Sequence, residues 1–151
     1  MPIDISIVIV NYNVRDFLFR CIESIHANSG HRSIEIIVVD NHSIDGSVGA
    51  LRQNFPEVIV IANEHNLGFG SANNQGIDIA RGKYTLILNP DTLLSEHTLE
   101  VCFNYIEQNP QTGAVGAQMV DGSGKYLPES KRGLPTLWSS FCKMTGLYRL
   151  F

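Results

Sequence analysis

Two kinds of apolar run alternate along the chain. Ile5-Ser6-Ile7-Val8-Ile9-Val10 is β-branched and nearly continuously apolar, as expected for a strand buried on both faces of a parallel sheet. After Asn11-Tyr12-Asn13 the spacing changes. Phe17, Leu18, Cys21, Ile22 and Ile25 recur at intervals of three and four, which predicts a helix from about Val14 to Ala27, stopped at Ser29-Gly30. A second buried strand is predicted over Ile34 to Val39, then a polar loop over Asp40 to Gly46, a short helix to about Asn54 and a third strand over Val58 to Ile61. Strands alternating with helices require crossover connections and a parallel sheet, so the fold class is α/β with three layers, α/β/α.

The next stretch, Asn63 to Gly76, is rich in side-chain amides: Asn63, Asn66, Asn73, Asn74 and Gln75, with glycines at 68, 70 and 76. A helix over Ser71 to Ala80 is predicted, with Ala72, Ile77 and Ala80 facing inward and Arg81-Gly82 closing it. Asn73, Asn74 and Gly76 all lower helix propensity, so something other than propensity must hold it. Lys83-Tyr84 lead into a fourth apolar strand, Leu86-Ile87-Leu88, which stops at Asn89-Pro90-Asp91 because proline cannot donate to a ladder. Another helix starts at Ser95, His97 and Thr98, with Leu99, Cys102, Phe103 and Ile106 as its inner face, and ends near Asn109-Pro110. Ala114 to Val120, Asp121-Gly122-Ser123-Gly124 and Lys125 to Leu127 then read as a β-hairpin. From Pro128 the chain becomes irregular. From Leu134 it is apolar and aromatic, yet too short to cross a bilayer, so those side chains need cover from a partner (a second copy included), a membrane surface or sequence not in this chain.

Composition narrows the function. With 151 residues the chain is one domain or part of a larger one. A formal charge of −4 and an isoelectric point near 5.7 leave no basic stripe for nucleic acid. Cys21, Cys102 and Cys142 are odd in number and widely spaced, fitting reduced thiols, and Ile5 to Val10 is too short for a signal peptide or a membrane span, so the expected compartment is the cytoplasm. The five histidines lack metal-pair spacing and read as surface residues.

Three polar loops, Asn11 to Asn13, Asp40 to Asp45 and Asn89 to Asp91, all follow parallel strands and so share the sheet edge where ligands sit in open α/β folds. Neither a Gly-x-Gly-x-x-Gly loop nor a Walker-type loop follows the first strand, so any phosphates lack a backbone cradle. A divalent metal at Asp91 is the natural substitute. Tyr12 offers a face for a base to stack on, and Asp40 can accept from a base or ribose edge. Each has a bland alternative: Tyr12 as a core aromatic, Asp40 as a cap, Asp45-Gly46 as turn chemistry, Asn66, Asn73 and Asn74 as loop stitching, and Asn-Pro-Asp-Thr as a simple turn.

Four ordered motifs carry a family resemblance. Ile7 to Asn13, Ile37 to Asn41 with Ser43 and Asp45-Gly46, Asn66-Leu67-Gly68-Phe69-Gly70 with Asn73 and Gly76, and Leu88 to Asp91 together resemble the family 2 glycosyltransferases, inverting enzymes of the GT-A fold, and within them the rhamnosyltransferase-like branch. The resemblance, over about Ile5 to Trp138, implies a nucleoside-diphosphate sugar across the sheet edge. Tyr12 and Asp40 match base-binding positions and Asp45 the nearby loop acid, while Asn11, Asn13, Asn41, Asn66, Gly68 and Asn73 complete the expected nucleotide site. Asp91 matches the ligand for Mg²⁺ or Mn²⁺, with Asn89 at the motif's usual first acid. A neutral amide there lowers the charge on the metal.

The implied reaction is displacement at the anomeric carbon by an acceptor hydroxyl, saccharide or lipid-linked, with a carboxylate base taking its proton. Asp121 and Glu129 are the only acids after the last predicted helix, and the resemblance places the base beyond Phe151. The expected organisation is a nucleotide-sugar-binding domain over 1–127 and the start of an acceptor-side segment over 128–151. Two rivals remain: a non-catalytic interaction module using the apolar tail, and a nucleotidyltransferase, which would want a glycine-rich basic loop where Asn11 to Arg15 stands.

Overall fold

The computed structural model describes residues 2–127. They form β1 (Ile5–Asn11), α1 (Arg15–Asn28), β2 (Ile34–Asp40), α2 (Ser47–Asn54), β3 (Ile59–Ala62), α3 (Phe69–Ile79), β4 (Tyr84–Leu88) and α4 (Thr98–Gln108). All four strands are parallel, in the order β3-β2-β1-β4. The chain builds outward from β1 through β2 to β3, then crosses back to lay β4 on β1's other side. The order therefore reverses between β1 and β4, and in an open α/β sheet that reversal leaves a crevice at the strands' carboxyl ends.

The three expected layers are present. One face of β1, through Ile5, Ile7 and Ile9, packs with Leu18, Cys21, Ile22 and Ile25 of α1, Leu51 of α2, and Leu99 and Phe103 of α4. The opposite face, Val8, Val10, Ile37 and Val39, packs under Ala72 of α3. Because β1 and β2 are covered on both sides, every residue of β1 is buried, which is why its sequence runs apolar instead of alternating.

The inward face of α3 differs from expectation. Ala72, Asn73 and Gly76 are buried, whereas Ile77 is 39% exposed. Gly76 is the cause: a Cβ there would stand 2.5 Å from Val8 Cγ1 and 3.3 Å from Val39 Cγ2. The helix lies so close to the sheet that only hydrogen fits, and the turn containing Gly76 faces inward in place of Ile77. At its far end α3 is tied down by Glu35, whose Oε1 accepts from Ser6 Oγ at 2.6 Å and from Arg81 N at 2.7 Å, and whose Oε2 accepts from Arg81 Nη2 at 2.8 Å.

Residues through Ala114 make one compact unit, and a second begins at Val115. The expected hairpin is reduced to a single antiparallel bridge, Val120 to Tyr126, around a turn in which Asp121 Oδ1 accepts from the amides of Ser123 and Lys125. Residues 114–120 form no strand, and a two-stranded ribbon is only marginally stable by itself. The segment expected over 128–151, with Cys142 and the apolar tail from Leu134, lies outside the described residues. No described helix is long and apolar enough to cross a membrane.

Candidate functional site

The carboxyl ends of β1, β2 and β4 carry the chemistry. Asn11 and Asp40 are register partners at the ends of β1 and β2, and Asn11 Nδ2 donates to Asp40 Oδ2 at 2.7 Å and to Ser43 Oγ at 3.1 Å. The second oxygen of Asp40 accepts from Ser43 N at 2.8 Å. Both residues are buried. A carboxylate oxygen offers two lone pairs, so each oxygen of Asp40 keeps one beyond these bonds.

Asn13 turns the first loop in the left-handed region, φ 55°, where asparagine is among the few residues at ease. Its Oδ1 accepts from Ile44 N at 2.8 Å, joining the first loop to the second. Asp45 is consumed as a double cap: Oδ2 accepts from Arg15 N at the start of α1 (2.9 Å), while Oδ1 accepts from the amide and hydroxyl of Ser47 at the start of α2. Burial works against its charge, but those donors outweigh it and hold the carboxyl below its usual range.

Asn41 is the hub of the amide-rich stretch. It is 2% exposed; Nδ2 donates to Asn66 Oδ1 at 2.8 Å, and Oδ1 accepts from Leu67 N at 2.9 Å and Asn63 Nδ2 at 3.2 Å. Asn63 and Gln75 exchange a reciprocal pair of amide bonds, at 2.9 and 3.0 Å, which clamps the loop to α3. Asn66 Oδ1 also accepts from Gly68 N. Gly68 sits at φ 81°, ψ 161°, a region open essentially to glycine alone, and from there the chain turns into α3. Asn73 is buried on the first turns of α3 and donates to Phe69 O. Asn11 Oδ1 and Asn73 Oδ1 are buried without a partner among the described residues.

On the other side of the crevice, Thr92 N donates to Asn89 O at 3.1 Å, so Asn89 to Thr92 is a hydrogen-bonded turn with Pro90 at its second position and Asp91 at its third. The bland reading of this step is thus correct as local geometry, and it leaves Asp91 exposed at the crevice, with no hydrogen bond or ion pair to another described residue. Tyr12, 50% exposed, stands at the end of neighbouring β1 and is not a core aromatic. Beneath the turn, burial and the Asp91 charge push the Cys21 thiol up to about 12.

For a divalent cation, the candidate donors are the Asp91 carboxylate and the side-chain amide of Asn89 on the same turn: hard oxygens, but few. Among the described residues no cluster of three or more His, Cys, Asp or Glu could hold a metal by itself. Such a set fits Mg²⁺ or Mn²⁺ only when phosphate oxygens complete the coordination, which is how Mg²⁺ is usually held.

Sequence reasoning did not find the role of Ser24 and Asn28, which bind the far end of the Asp91 loop. Their signal was present, as polar residues continuing the Cys21 row along α1 at helical spacing.

Residues 6–149 match the profile of glycosyl transferase family 2. The chain belongs to that family. A minor teichoic acid biosynthesis protein of Bacillus subtilis, GgaB, is 36% identical over 110 residues, spanning 70% of this chain and 12% of that protein. An uncharacterized glycosyltransferase of Methanocaldococcus jannaschii is 33% identical over 133 residues, 84% of this chain and 46% of that one. Among solved structures, S. aureus TarS in complex with UDP-GlcNAc superposes with a TM-score of 0.70 at 21% identity, over 89% of this chain and 37% of that one. The chain thus spans less than half the length of each, and the superposition establishes the shared fold.

Proposed function

We propose that this chain is the donor-binding part of an inverting, metal-dependent glycosyltransferase that takes a nucleoside-diphosphate sugar and passes the sugar to an acceptor hydroxyl of a cell-surface glycopolymer or glycolipid. The observation that carries the reading is that adjacent strands of a family 2 chain carry, at their carboxyl ends, an exposed aromatic face after β1 (Tyr12), a buried carboxylate with spare lone pairs closing β2 (Asp40) and, after β4, an exposed carboxylate (Asp91) without a partner among the described residues. The base stacks on Tyr12 and its edge donates to Asp40. The diphosphate lies toward Asp91, and since two anions cannot share that space uncompensated, Asp91 and Asn89 are the residues that would hold Mg²⁺ or Mn²⁺. When bound there, a divalent cation supplies charge neutralisation for the departing diphosphate.

Asn13, Asn41, Asp45, Asn66, Gly68 and Asn73 support this site by fixing its loops. The acceptor's proton goes to a carboxylate outside residues 2–127. The teichoic acid role named for GgaB supports a glycopolymer acceptor, and the resemblance to the rhamnosyltransferase-like branch is the support for that branch, while the four motifs speak to the family more than to the sugar. Cys21 and Cys102 are free thiols, which supports the cytoplasm as the setting.

Calorimetric titration with UDP, dTDP and GDP, each with and without Mn²⁺, tests the reading. Binding of at least one, strengthened by metal and losing that gain in Asp91→Ala, is expected. No binding to any of them refutes it, and metal-linked binding unchanged in Asp91→Ala refutes the placement of the cation.

A further inference from the structure

The loop that carries Asp91 is not held by its own sequence. Between the end of β4 and the start of α4 it has one internal turn bond, Thr92 N to Asn89 O, and a bond from Thr98 N to Ser95 O at its far end. Its end near α4 also has the Ser95 Oγ–Thr98 Oγ1 contact at 2.8 Å, and Leu94 is buried in the core; its hydrogen bonds to the rest of the fold come from one row of side chains on α1. Cys21 Sγ lies 3.8 Å from Asn89 O and donates to it. One turn on, Ser24 Oγ accepts from Leu94 N at 3.0 Å while donating to Cys21 O at 2.7 Å. One turn further, Asn28 Nδ2 donates to Leu94 O at 3.0 Å and to Ser24 O at 3.0 Å. Residues 21, 24 and 28 share one helix face, so the row runs alongside the loop and grips it at Asn89 and again at Leu94, on either side of Asp91.

The two ends of that grip differ in strength. A thiol is a weak donor, so the contact at Asn89 is soft. At the other end both main-chain groups of Leu94 are bound, and the Leu94 side chain is buried in the core with α1. α1 is itself anchored at its start by Asp45 across from the first loop. The register of Asp91 relative to Tyr12 is therefore set by α1 as a ruler: one end at the Asp45 cap beside the first loop, the other at Leu94.

We propose that Ser24 and Asn28 are positioning residues for Asp91, fixing the loop so that its carboxylate meets a nucleotide-bound divalent cation. This rests on the metal placement under Proposed function. Neither side chain touches the crevice; each acts through the main chain of Leu94. Groups that hydrogen-bond a metal ligand directly cost about 10- to 100-fold in metal affinity when removed, and a hold exerted through the main chain of Leu94 belongs at the low end of that range.

The test is calorimetry on the 151-residue chain with the nucleotide that binds best, with and without Mn²⁺, in Ser24→Ala, Asn28→Ala, Ser24→Thr and Asp91→Ala. Affinity without metal is expected to stay at the parent value in Ser24→Ala and Asn28→Ala, while the gain on adding Mn²⁺ falls about tenfold. Ser24→Thr, which keeps the hydroxyl, restores the gain. A folded Ser24→Ala with the parent's full gain overturns the proposal, as does an equal loss of affinity with and without metal, which marks a merely structural contact. If Asp91→Ala also retains the gain, the metal placement itself is wrong and the proposal falls with it. If Asp91→Ala loses the gain while the two α1 variants keep it, the placement stands and only the positioning role is refuted. Faster amide exchange at Leu94 in Ser24→Ala, beside unchanged exchange in β1, is the independent sign that the grip has been released.

Discussion

Replacing Gly76 with alanine sets two effects against each other, and the structure decides which wins. In an exposed helix interior the change would stabilise by about 1 kcal/mol, since glycine is the poorer helix former. Here the added methyl would meet Val8 Cγ1 at 2.5 Å, Val39 Cγ2 at 3.3 Å and Val8 Cγ2 at 3.3 Å. Val8 and Val39 are fully buried in the middle of the sheet, and valine is stiff about χ1, so neither can swing aside. Relief requires α3 to lift from the sheet by about 1 Å, the gap between 2.5 Å and an ordinary carbon contact of about 3.5 Å. Overpacking costs about 1–3 kcal/mol, and a methyl this close to stiff, buried valines belongs in the upper half of that range, about 2–3 kcal/mol; less the propensity gain of about 1 kcal/mol, the net expectation is a loss of about 1–2 kcal/mol. With a urea slope of about 1.5 kcal/mol per molar, the unfolding midpoint should fall by about 1 M. Lifting α3 also pulls on the Asn63–Gln75 clamp, so nucleotide affinity should fall with stability. A Gly76→Ala protein as stable as the parent would show that helix propensity outweighs the contact, and would refute the account of why Ile77 faces outward.

Asn41→Ala leaves Leu67 N–H and the amides of Asn63 and Asn66 short of partners, and should lower stability by about 2–3 kcal/mol in urea unfolding. Burial opposes the Glu35 charge, yet bonds from Ser6 and Arg81 hold its carboxyl below the usual value. Since the folded-state value is the depressed one, the stability it contributes is present above the unfolded value near 4.3 and is lost as pH falls through the folded one. Glu35→Gln should accordingly be less stable at pH 7, with the difference from the parent shrinking below about pH 4 in thermal melts. With its thiol raised to about 12 by burial and by Asp91, native Cys21 should resist alkylation at pH 8, as mapped by mass spectrometry, and react once the chain is unfolded.

How much of this was legible depends on whether one element or two were needed to see it. β1, β2 and β4 and the apolar row of α1 are local patterns, and the parallel sheet follows from their alternation. The orientation of α3 was not legible, because its apolar residues are few and a glycine's near contact with Val8 is set by a strand more than sixty positions away. The hairpin at 114–127 had the right turn chemistry in Asp121-Gly122-Ser123-Gly124, but turn chemistry fixes only the turn, and a two-stranded ribbon does not hold its ladder by local sequence alone. At the site, residue identities were visible and their allegiances were not. Asn41 and Asp45 read as ligand groups because polar residues at a sheet edge usually are, and only the folded geometry shows main-chain donors already occupying them.

That occupancy divides the site into two populations with different expected behaviour. Asn13, Asn41, Asp45, Asn66 and the Asn63–Gln75 pair spend their polar atoms on one another and on loop amides. Tyr12, Asn89 and Asp91 are exposed and spend none of their side-chain polar atoms on hydrogen bonds to described residues. The first population orders the loops before any ligand arrives, removing part of the entropy cost that binding would otherwise carry. This also accounts for α3, whose asparagines and glycines are poor helix formers: what holds it is the clamp, the Gly76 contact and the Glu35 tie, none of which depends on propensity. Substitutions in the first group should therefore lower stability and nucleotide affinity together, whereas Tyr12→Ala and Asp91→Ala should lower affinity at constant unfolding midpoint. Asp40 belongs to both groups, holding Asn11 and Ser43 while keeping lone pairs for a ligand, and Asp40→Asn should lose on both measures. A Tyr12→Ala protein that lost several kcal/mol of stability would place that ring in the core after all and break the division.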